Sequence, residues 1–443
     1  MPQDGPAPPT GSLPVAIIGA GPTGLAAAAH LLARGLSPLI LEAGEVAASV
    51  RAWGHVRMFS PWRYNIDPAA RALLEAAGWQ APDPDAHPTG AELVARYLAP
   101  LAALPPLARA LRTGTRVVGV TRRDHDLMRD GARDSAPFVL QLADLSGRVT
   151  EIEASAVLDC SGTWASPNPV GAHGLPVPGE AQAAGRIAYG IPDMLGRDRA
   201  DHAGRTVLVV GAGHSAMNAV LDLAALARHA PGTRILWAFR RPLEAVNFGG
   251  GAADALAERG SLGARAHQLA ATGEVTVLAP FAIAAMQPLP DGRVAVTARD
   301  GRRVEVDRIV VAAGFRPDLS FLRELRLGLD PAVQSTLALA PLIDPNLHSC
   351  GTVRPHGEAE LRHPEANFWI AGMKSYGRAP TFLLATGHEQ VRSIAAALAG
   401  DWMAARRVEL DLPETGVCSA TPAAPASSCC APAPACCGTV PAA

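Results

Sequence analysis

The sequence predicts an α/β protein in which one parallel-sheet unit occurs twice, and three observations support this prediction. An apolar strand, a glycine turn, an alanine-rich helix and a second strand follow one another twice along the chain. Each series continues into short alternating strands and turns, and each then closes on an apolar strand that runs into a glycine. The three pairs of segments are 15–41 and 206–239, 117–149 and 275–306, and 157–162 and 309–314. We interpret the pattern as an internal duplication in which one unit is inserted into the other.

The composition is that of an ordinary globular protein, and neither nucleic acid nor a membrane is expected as a partner. Of the 443 residues, 49% are hydrophobic and 18% are charged, and the formal net charge is -2. The apolar stretch at 15–36 is interrupted by glycine, proline and arginine, which excludes a membrane span. Residues 1–12 carry Asp4 and several prolines instead of a basic start and an apolar core, so we expect no secretory signal and a cytoplasmic location.

The first glycine turn matches the G-x-G-x-x-G pattern of a dinucleotide-binding site. Gly19 permits the tight turn, Gly21 lets the backbone approach a pyrophosphate, and Gly24 lets the helix pack closely on the strand. The following strand ends at Glu42, where a carboxylate can accept hydrogen bonds from both hydroxyls of a ribose. A strand before the turn, a helix after it and an acid at the expected spacing together predict a bound dinucleotide.

The second glycine turn has the same context but a different charge at the end of its following strand. It consists of Gly211, Ala212, Gly213, His214, Ser215 and Ala216. The pattern allows alanine in its third position, which is Ala216 here. The strand that follows is succeeded by Arg240 and Arg241, and a pair of guanidinium groups can bind a 2′-phosphate that a carboxylate would repel. This turn therefore predicts NADPH in preference to NADH.

The segments that close the two units carry a resemblance to known enzymes. Residues 159–164 read Asp-Cys-Ser-Gly-Thr-Trp, with the glycine at Gly162, and residues 313–318 read Ala-Gly-Phe-Arg-Pro-Asp, with the glycine at Gly314. Together with the two glycine turns, these motifs make the chain resemble the flavin-containing and N-hydroxylating monooxygenases over residues 14–400. The resemblance implies FAD at the first turn, NADPH at the second, and two Rossmann-type dinucleotide-binding domains, with the NADPH domain inserted into a split FAD domain.

On this basis we divide the chain into four parts. They are a first part of the FAD-binding domain at 14–190, an NADPH-binding domain at 200–304, a second part of the FAD-binding domain at 305–410 and a disordered cysteine-rich C-terminal tail at 413–443. The tail is predicted to be flexible because it consists mainly of Pro, Ala, Ser and Cys and has no apolar period.

The resemblance also implies roles for individual residues. Trp53 corresponds to a tryptophan that follows the acid-ending strand in these enzymes, and Asn65 corresponds to an asparagine that faces the flavin. The match is incomplete, because 187–203 lacks the Phe-x-Gly and His-Ser-x-x-Tyr/Phe elements of the family. In addition, the broader group of flavoproteins with two dinucleotides has Gly-Asp where this chain has Gly372 and Met373. Gly372 is expected to contact the flavin through its backbone instead.

The loop after the last apolar strand is expected to cross the edge of the flavin. It contains Lys374, the only lysine of the chain. In an arginine-rich chain, a single retained ammonium group indicates a specific role, and its charge would stabilise negative charge on the flavin. Chance is the alternative explanation. Arg378 in the same loop and Asn65 are the other two candidate catalytic residues.

Two features of the cysteines bear on function. No C-x-x-C or C-x-x-x-x-C motif occurs in the first strand–helix region, which disfavours a disulfide reductase, and Cys160 is expected to be a buried apolar residue without chemistry. Four further cysteines lie within nine residues of the tail, where vicinal thiols would suit a soft ion such as copper(I), mercury(II) or trivalent arsenic, unless they reflect compositional drift. These candidate metal ligands are Cys429, Cys430, Cys436 and Cys437. The tail resembles the cysteine pairs of mercuric reductases, and the chain resembles flavoproteins found with bacterial arsenic-resistance genes.

The sequence thus predicts an FAD-dependent, NADPH-consuming oxidoreductase. The main hypothesis is a flavin monooxygenase, in which flavin reduced by hydride reacts with oxygen to oxidise a small nucleophilic substrate such as a trivalent arsenical. One alternative is a metal or metalloid reductase to which the cysteine tail delivers the ion, and another is a non-catalytic redox or metal-binding sensor. The sequence leaves the substrate and the oligomeric state open.

Overall fold

The computed structural model describes residues 13–410 except for 247, 249–253, 255, 348–352 and 381. The strands within these residues are β1 (Val15–Ile18), β2 (Pro38–Leu41), β3 (Leu111–Arg112), β4 (Arg116–Arg122), β5 (Phe138–Ala143), β6 (Val149–Ala154), β7 (Ala156–Asp159), β8 (Ile187–Tyr189), β9 (Thr206–Val210), β10 (Arg234–Ala238), β11 (Thr276–Leu278), β12 (Ile283–Pro288), β13 (Val294–Ala298), β14 (Arg303–Val306), β15 (Arg308–Val311) and β16 (Phe368–Ile370). The α-helices are α1 (Pro22–Ala33), α2 (Ala48–Ala52), α3 (Pro68–Ala76), α4 (Gly90–Leu93), α5 (Ala99–Ala103), α6 (Pro105–Ala110), α7 (Arg199–His202), α8 (His214–His229), α9 (Ala257–Thr272), α10 (Ala340–Ile343), α11 (Leu384–Leu398) and α12 (Trp402–Arg406). None of the helices in this part of the chain combines the length and the apolarity needed to cross a membrane.

The first sheet contains five parallel strands in the order β16-β7-β1-β2-β3. Alternate side chains of the central strand β1 pack on opposite faces of this sheet. Ile17 packs into the core formed with helices α1 and α11, whereas Ile18 packs into the core formed with the antiparallel meander β4–β5–β6. Burial on both faces explains why β1 is an uninterrupted apolar run.

The second sheet repeats this arrangement, with parallel strands in the order β8-β15-β9-β10-β11. Val209 of its central strand β9 packs with helices α8 and α9, and Leu208 packs with the meander β12–β13–β14. Strands β7-β1-β2-β3 of the first sheet correspond to β15-β9-β10-β11 of the second, and the covering layers are the same. The fifth strand differs, because β16 follows the other strands of its sheet along the chain whereas β8 precedes them. The corresponding strands and layers confirm the internal duplication that the sequence predicts.

The second unit is inserted into the first, but the structure places two strands differently from the predicted boundaries. The chain leaves the first sheet after β7 and returns to it at β16, which pairs with β7. Strand β8 falls within the predicted first part of the FAD domain and β15 within the second part, yet both belong to the second sheet, where Ile309 pairs with Ile187. Apolar parallel strands look alike in either sheet, and only their pairing, which local sequence does not display, assigns them.

The two connections between the sheets run side by side and hold the units together. Pro167 of the first connection forms an antiparallel bridge with Phe315 of the second. The backbone N–H of Asn168 donates to the carbonyl of Gly314 at 2.9 Å. The rings of Trp164 and Phe315 stack with their centroids 4.9 Å apart. Backbone and aromatic contacts thus join the connections where the two units meet.

Candidate functional site

The first glycine turn lies between β1 and α1, at the carboxyl edge of the first sheet. Gly19 has a φ of +102°, a conformation that favours glycine, and a Cβ at Gly24 would lie only 2.0 Å from the carbonyl oxygen of Gly19. Gly21 is different, because it caps the N-terminus of α1 and a Cβ there would meet no atom within 4 Å. The N-terminal end of α1 can therefore be approached at Gly21, as the binding of a pyrophosphate requires.

Glu42, directly after β2, is fixed beside this turn. Its Oε2 accepts a hydrogen bond from the backbone N–H of Ala20 at 2.7 Å, and its Oε1 accepts one from that of Gly44 at 2.8 Å. A cavity of about 680 Å³ begins at Gly44 and has mainly small and apolar walls. Its lining residues are Gly44, Glu45, Val46, Arg51, Ala99, Ala102, Ala103, Leu111, Thr113, Gly114 and Leu145. A carboxylate beside the glycine turn and a cavity of this volume fit the adenosine end of FAD.

The second glycine turn has the same construction between β9 and α8. Gly211 has a φ of +130°, and a Cβ at this position would lie 2.3 Å from the carbonyl oxygen of Ala312. Gly213 caps the N-terminus of α8, and a Cβ there would meet no atom within 4 Å. Ser215 is half-buried and Ala216 is fully buried, so the third position of this turn accommodates a methyl group. The open approach at Gly213 fits the pyrophosphate of a second dinucleotide.

Arg240 and Arg241 follow β10 and are both exposed at the edge of the second sheet. Nη1 of Arg240 donates a hydrogen bond to the carbonyl of Ala172 at 3.0 Å, which tethers it to the first connection between the units. Two guanidinium groups at the end of this strand fit a 2′-phosphate, and no carboxylate stands where Glu42 stands in the first unit.

A contact that the sequence does not reveal lies at the start of α8. The ring of His214 packs against the ring of Phe59 with the centroids 5.1 Å apart, although Phe59 belongs to the first unit. Burial lowers the pKa of His214, so the imidazole at this helix end is neutral near pH 7. The segment that contains Trp53 and Phe59 thus reaches the second glycine turn. No local pattern could have paired two aromatic residues this far apart.

Three further predicted cofactor residues are Trp53, Gly162 and Gly314. Trp53 is half-buried, and a Cβ at Gly90 would lie 2.7 Å from its ring. Gly162, shortly after β7, has a φ of +69°, and Gly314, shortly after β15, has a φ of +84°. A Cβ at Gly162 would meet no atom within 4 Å, so this glycine borders open space as Gly21 does.

Lys374 is buried and ion-paired in the structure, and its predicted role at the flavin edge stays a prediction. The residue lies in a short 3-10 helix, Gly372–Tyr376, and is only 1% exposed. Its Nζ donates to Oδ2 of Asp159 at 2.6 Å and to Oγ of Ser161 at 3.1 Å, and it lies 4.5 Å from the ring centroid of Phe321. A carboxylate buried at the end of β7 needs a counter-charge, and Lys374 supplies it.

The other two candidate catalytic residues are also engaged by the protein. Asn65 is fully buried, its Nδ2 donates to the carbonyls of Ser60 and Pro61, and its Oδ1 accepts from the hydroxyl of Ser60. Its amide therefore braces its own loop, and its position relative to the flavin stays a prediction. Arg378 is exposed, and its Nε donates to Oε1 of Gln334 at 2.8 Å. These contacts do not bring Asn65, Lys374 and Arg378 together into one catalytic group.

The turn at Gly372 is held by residues that the sequence does not single out. Gly372 has a φ of +73°, and a Cβ there would lie 2.7 Å from Oγ1 of Thr23, so the turn lies directly on the start of α1. Its backbone N–H donates to Oε1 of Gln390 at 2.8 Å. Gln390 and its partners give no sequence signal, because a polar residue within a helix normally faces solvent.

Among the cysteines for which the sequence predicts a role or its absence, only Cys160 lies within the described residues. Cys160 is buried, and burial, with a smaller contribution from Asp159, raises the pKa of its thiol far above the usual range. This matches the expectation of an inert, apolar cysteine. The four predicted metal ligands Cys429, Cys430, Cys436 and Cys437 lie outside the described residues. Within the described residues, no group of three or more His, Cys, Asp or Glu side chains is placed to hold a metal ion.

Sequence comparison supports the two nucleotide-binding units. A model of the family described as pyridine nucleotide-disulphide oxidoreductase matches residues 13–336. These residues include both glycine turns, the whole first connection between the sheets and the beginning of the second. No curated protein matches the chain in sequence.

Solved structures of several flavoenzymes have a similar fold. The bacillithiol disulfide reductase from Bacillus cereus superposes with a TM-score of 0.65 at 18% sequence identity, covering 88% of this chain and 99% of that chain. A flavin-containing monooxygenase from Stenotrophomonas maltophilia gives a TM-score of 0.55 at 21% identity, covering 88% and 98%. The thioredoxin reductase of T. acidophilum gives 0.55 at 15% identity, covering 88% and 99%. At these identities the similarity concerns the fold alone.

Proposed function

The chain belongs to the pyridine nucleotide-disulphide oxidoreductase family, and from this premise we propose that it is an NADPH-oxidising flavin monooxygenase for a small, soft nucleophile. As a member of this family it is an oxidoreductase whose cofactors are FAD and a nicotinamide dinucleotide. Bound FAD supplies the redox chemistry, because it accepts hydride from the nicotinamide and passes electrons on to an acceptor. The proposal concerns the identity of that acceptor.

The observation that carries the proposal is the state of Cys160, the only cysteine in the part of the chain that the structure describes. A dithiol relay needs a reactive thiolate near the flavin, whereas Cys160 is buried and its thiol has a strongly raised pKa. Without a relay among these residues, electrons would pass from the flavin directly to a diffusible acceptor. Oxygen is that acceptor in the monooxygenases that the motifs at 159–164 and 313–318 resemble.

The residues of the site have binding and orienting roles in this proposal. The start of α1 at Gly21 would hold the pyrophosphate of FAD, and Glu42, which is fixed beside the same turn, would accept hydrogen bonds from its ribose. Arg240 and Arg241 bind the 2′-phosphate of NADPH. The neutral ring of His214 places no additional charge beside the second pyrophosphate. In this proposal, the two arginines that follow β10 cause the preference for NADPH over NADH.

The test follows oxygen atoms during turnover of the FAD-loaded protein. NADPH is supplied under ¹⁸O₂ with methylarsenite, a thioether or an amine, and the products are analysed by mass spectrometry. In monooxygenation, one oxygen atom enters the substrate, and the other leaves as water with the hydride of NADPH and one proton. We expect one ¹⁸O atom in the product of one of these substrates for each NADPH consumed.

Two results would contradict the proposal. One is stoichiometric hydrogen peroxide with every substrate, and the other is rapid anaerobic oxidation of NADPH by a small disulfide or by a metalloid alone. A variant with serine at the four predicted metal ligands of the tail tests delivery of the ion by the tail. If this variant oxidises the arsenical at the original rate, the tail is not required for the reaction.

A further inference from the structure

The turn at Gly372, which follows β16, packs directly against the start of α1. A Cβ at Gly372 would lie 2.7 Å from Oγ1 of Thr23, and a Cβ at Gly387 of α11 would lie 2.9 Å from the same oxygen. Thr23 comes two residues after Gly21, where the pyrophosphate of FAD would approach α1. Two glycines thus allow the turn and α11 to reach the helix end that binds the cofactor.

A buried glutamine ties this turn to α11. Oε1 of Gln390 accepts a hydrogen bond from the backbone N–H of Gly372 at 2.8 Å. Its Nε2 donates to Oγ of Ser375 and to Nε2 of His356, each at 2.9 Å. The hydroxyl of Ser375 in turn donates to the carbonyl of Gly372 at 2.7 Å. Gln390 therefore binds both ends of the same short turn.

The directions of these hydrogen bonds allow only one placement of the protons in the cluster. Because the amide of Gln390 donates to Nε2 of His356, this nitrogen must be unprotonated, and Nδ1 carries the proton that it shares with the carbonyl of Arg354 at 3.1 Å. Gln390 is 0% exposed, His356 3% and Ser375 4%. In such a dry environment, losing one partner leaves the others unsatisfied, so the cluster fixes the turn strongly.

We propose that Gln390, supported by His356 and Ser375, is a positioning residue for FAD. It holds the Gly372 turn against Thr23 and so keeps the first cofactor site in its binding shape before FAD arrives. No other role in the proposed reaction is assigned to it. The inference rests on the FAD site of the proposed function but does not depend on oxygen as the electron acceptor.

The test measures binding of FAD to the apoprotein without NADPH or substrate. Gln390→Met keeps the length of the side chain but removes its three hydrogen bonds. We expect the dissociation constant of FAD, measured by quenching of flavin fluorescence, to rise about ten- to a hundred-fold, because a buried donor and acceptor lose their partners. Gln390→Glu retains an acceptor for the N–H of Gly372 and is expected to recover part of the affinity.

Ser393→Ala is the matched control on the same helix. Ser393 is 1% exposed, its hydroxyl donates to the carbonyl of Ala405 at 2.6 Å, and it accepts from the N–H of Glu358 at 2.9 Å. We expect this variant to lower the unfolding temperature of the apoprotein while changing the FAD dissociation constant less than about twofold. Equal loss of FAD affinity in Gln390→Met and Ser393→Ala would overturn the proposal, since both would then act through general stability.

A milder variant keeps the test decisive if Gln390→Met does not fold. Ser375→Ala removes one donor and one acceptor at the turn and leaves the bond from Gly372 to Gln390 in place. We expect it to raise the FAD dissociation constant about three- to tenfold. An unchanged constant would contradict the positioning role. Because no turnover is measured, these results are independent of the identity of the electron acceptor.

Discussion

The two sheets of the molecule share the order of four corresponding strands but differ in polarity at equivalent positions. In the first sheet, Asp159 of β7 stands opposite Ile18 of β1, and in the second sheet, Val311 of β15 stands opposite Val210 of β9. The buried carboxylate of the first sheet requires Lys374, whereas the second sheet is apolar at this point. The two copies of the unit thus share a backbone arrangement, but at these equivalent positions the first has a buried ion pair and the second has apolar residues.

The glycine turns differ in a second respect, the space that they leave for a side chain. At the third position of the first turn, a Cβ on Gly24 would meet the carbonyl oxygen of Gly19 at 2.0 Å. At the same position of the second turn, Ala216 is accommodated and fully buried. Helix α1 therefore packs more closely on its turn than α8 does. The same glycine pattern is therefore compatible with two different distances between the helix and its turn.

The largest expected effect comes from breaking the ion pair that distinguishes the first sheet. Lys374→Met should lower the free energy of unfolding by about 3–5 kcal/mol, because it leaves the carboxylate of Asp159 buried without a counter-charge. Asp159→Val combined with Lys374→Met gives the first sheet the apolar pairing of the second and should recover most of this loss. Urea-induced unfolding of the apoproteins, followed by tryptophan fluorescence, provides the measurement.

The second sheet offers the reciprocal control. Val311→Asp introduces a carboxylate at the equivalent position without a lysine beside it, and it should destabilise the protein by several kcal/mol, roughly as much as Lys374→Met does. If the double variant in the first sheet is as unstable as Lys374→Met alone, the cost does not arise from the unpaired carboxylate. The loss of stability in these variants would then have to arise from changed packing.

The contrast between the sheets also shows how much the sequence could predict. Strands β1, β2, β9 and β10, the helices after the turns and the duplication itself were predictable, because they depend on local apolar periodicity and on glycine spacing. The partner of Lys374 was not, since Asp159 lies 215 residues away along the chain. Nor was the burial of Asn65, because an asparagine that braces its own loop has the same local sequence as one that faces a ligand.

Replacing the third residue of each turn tests the difference in packing distance. Gly24→Ala should destabilise the protein by about 2–3 kcal/mol and abolish copurification of FAD, because the new methyl group meets backbone that cannot move aside. Ala216→Gly should cost about 1 kcal/mol or less and leave FAD content unchanged. Flavin absorbance per protein and thermal unfolding measure both effects. Full FAD content in Gly24→Ala would mean that α1 can move away from its turn.

The smallest expected effect concerns the charge at the ends of β2 and β10, where the first unit has Glu42 and the second has two arginines. Arg241→Ser should raise KM for NADPH about tenfold, or about 1.4 kcal/mol, and change KM for NADH less than about twofold, because only NADPH carries the 2′-phosphate. Steady-state oxidation of the two nucleotides measures the ratio. Arg303→Ser, which removes an exposed arginine from the meander of the same unit, is the matched control for net charge. An equal rise in KM for both nucleotides in Arg241→Ser would mean that the guanidinium contacts a part of the dinucleotide that NADH and NADPH share. The opposite charges at the ends of β2 and β10 would then not explain which nucleotide each turn selects.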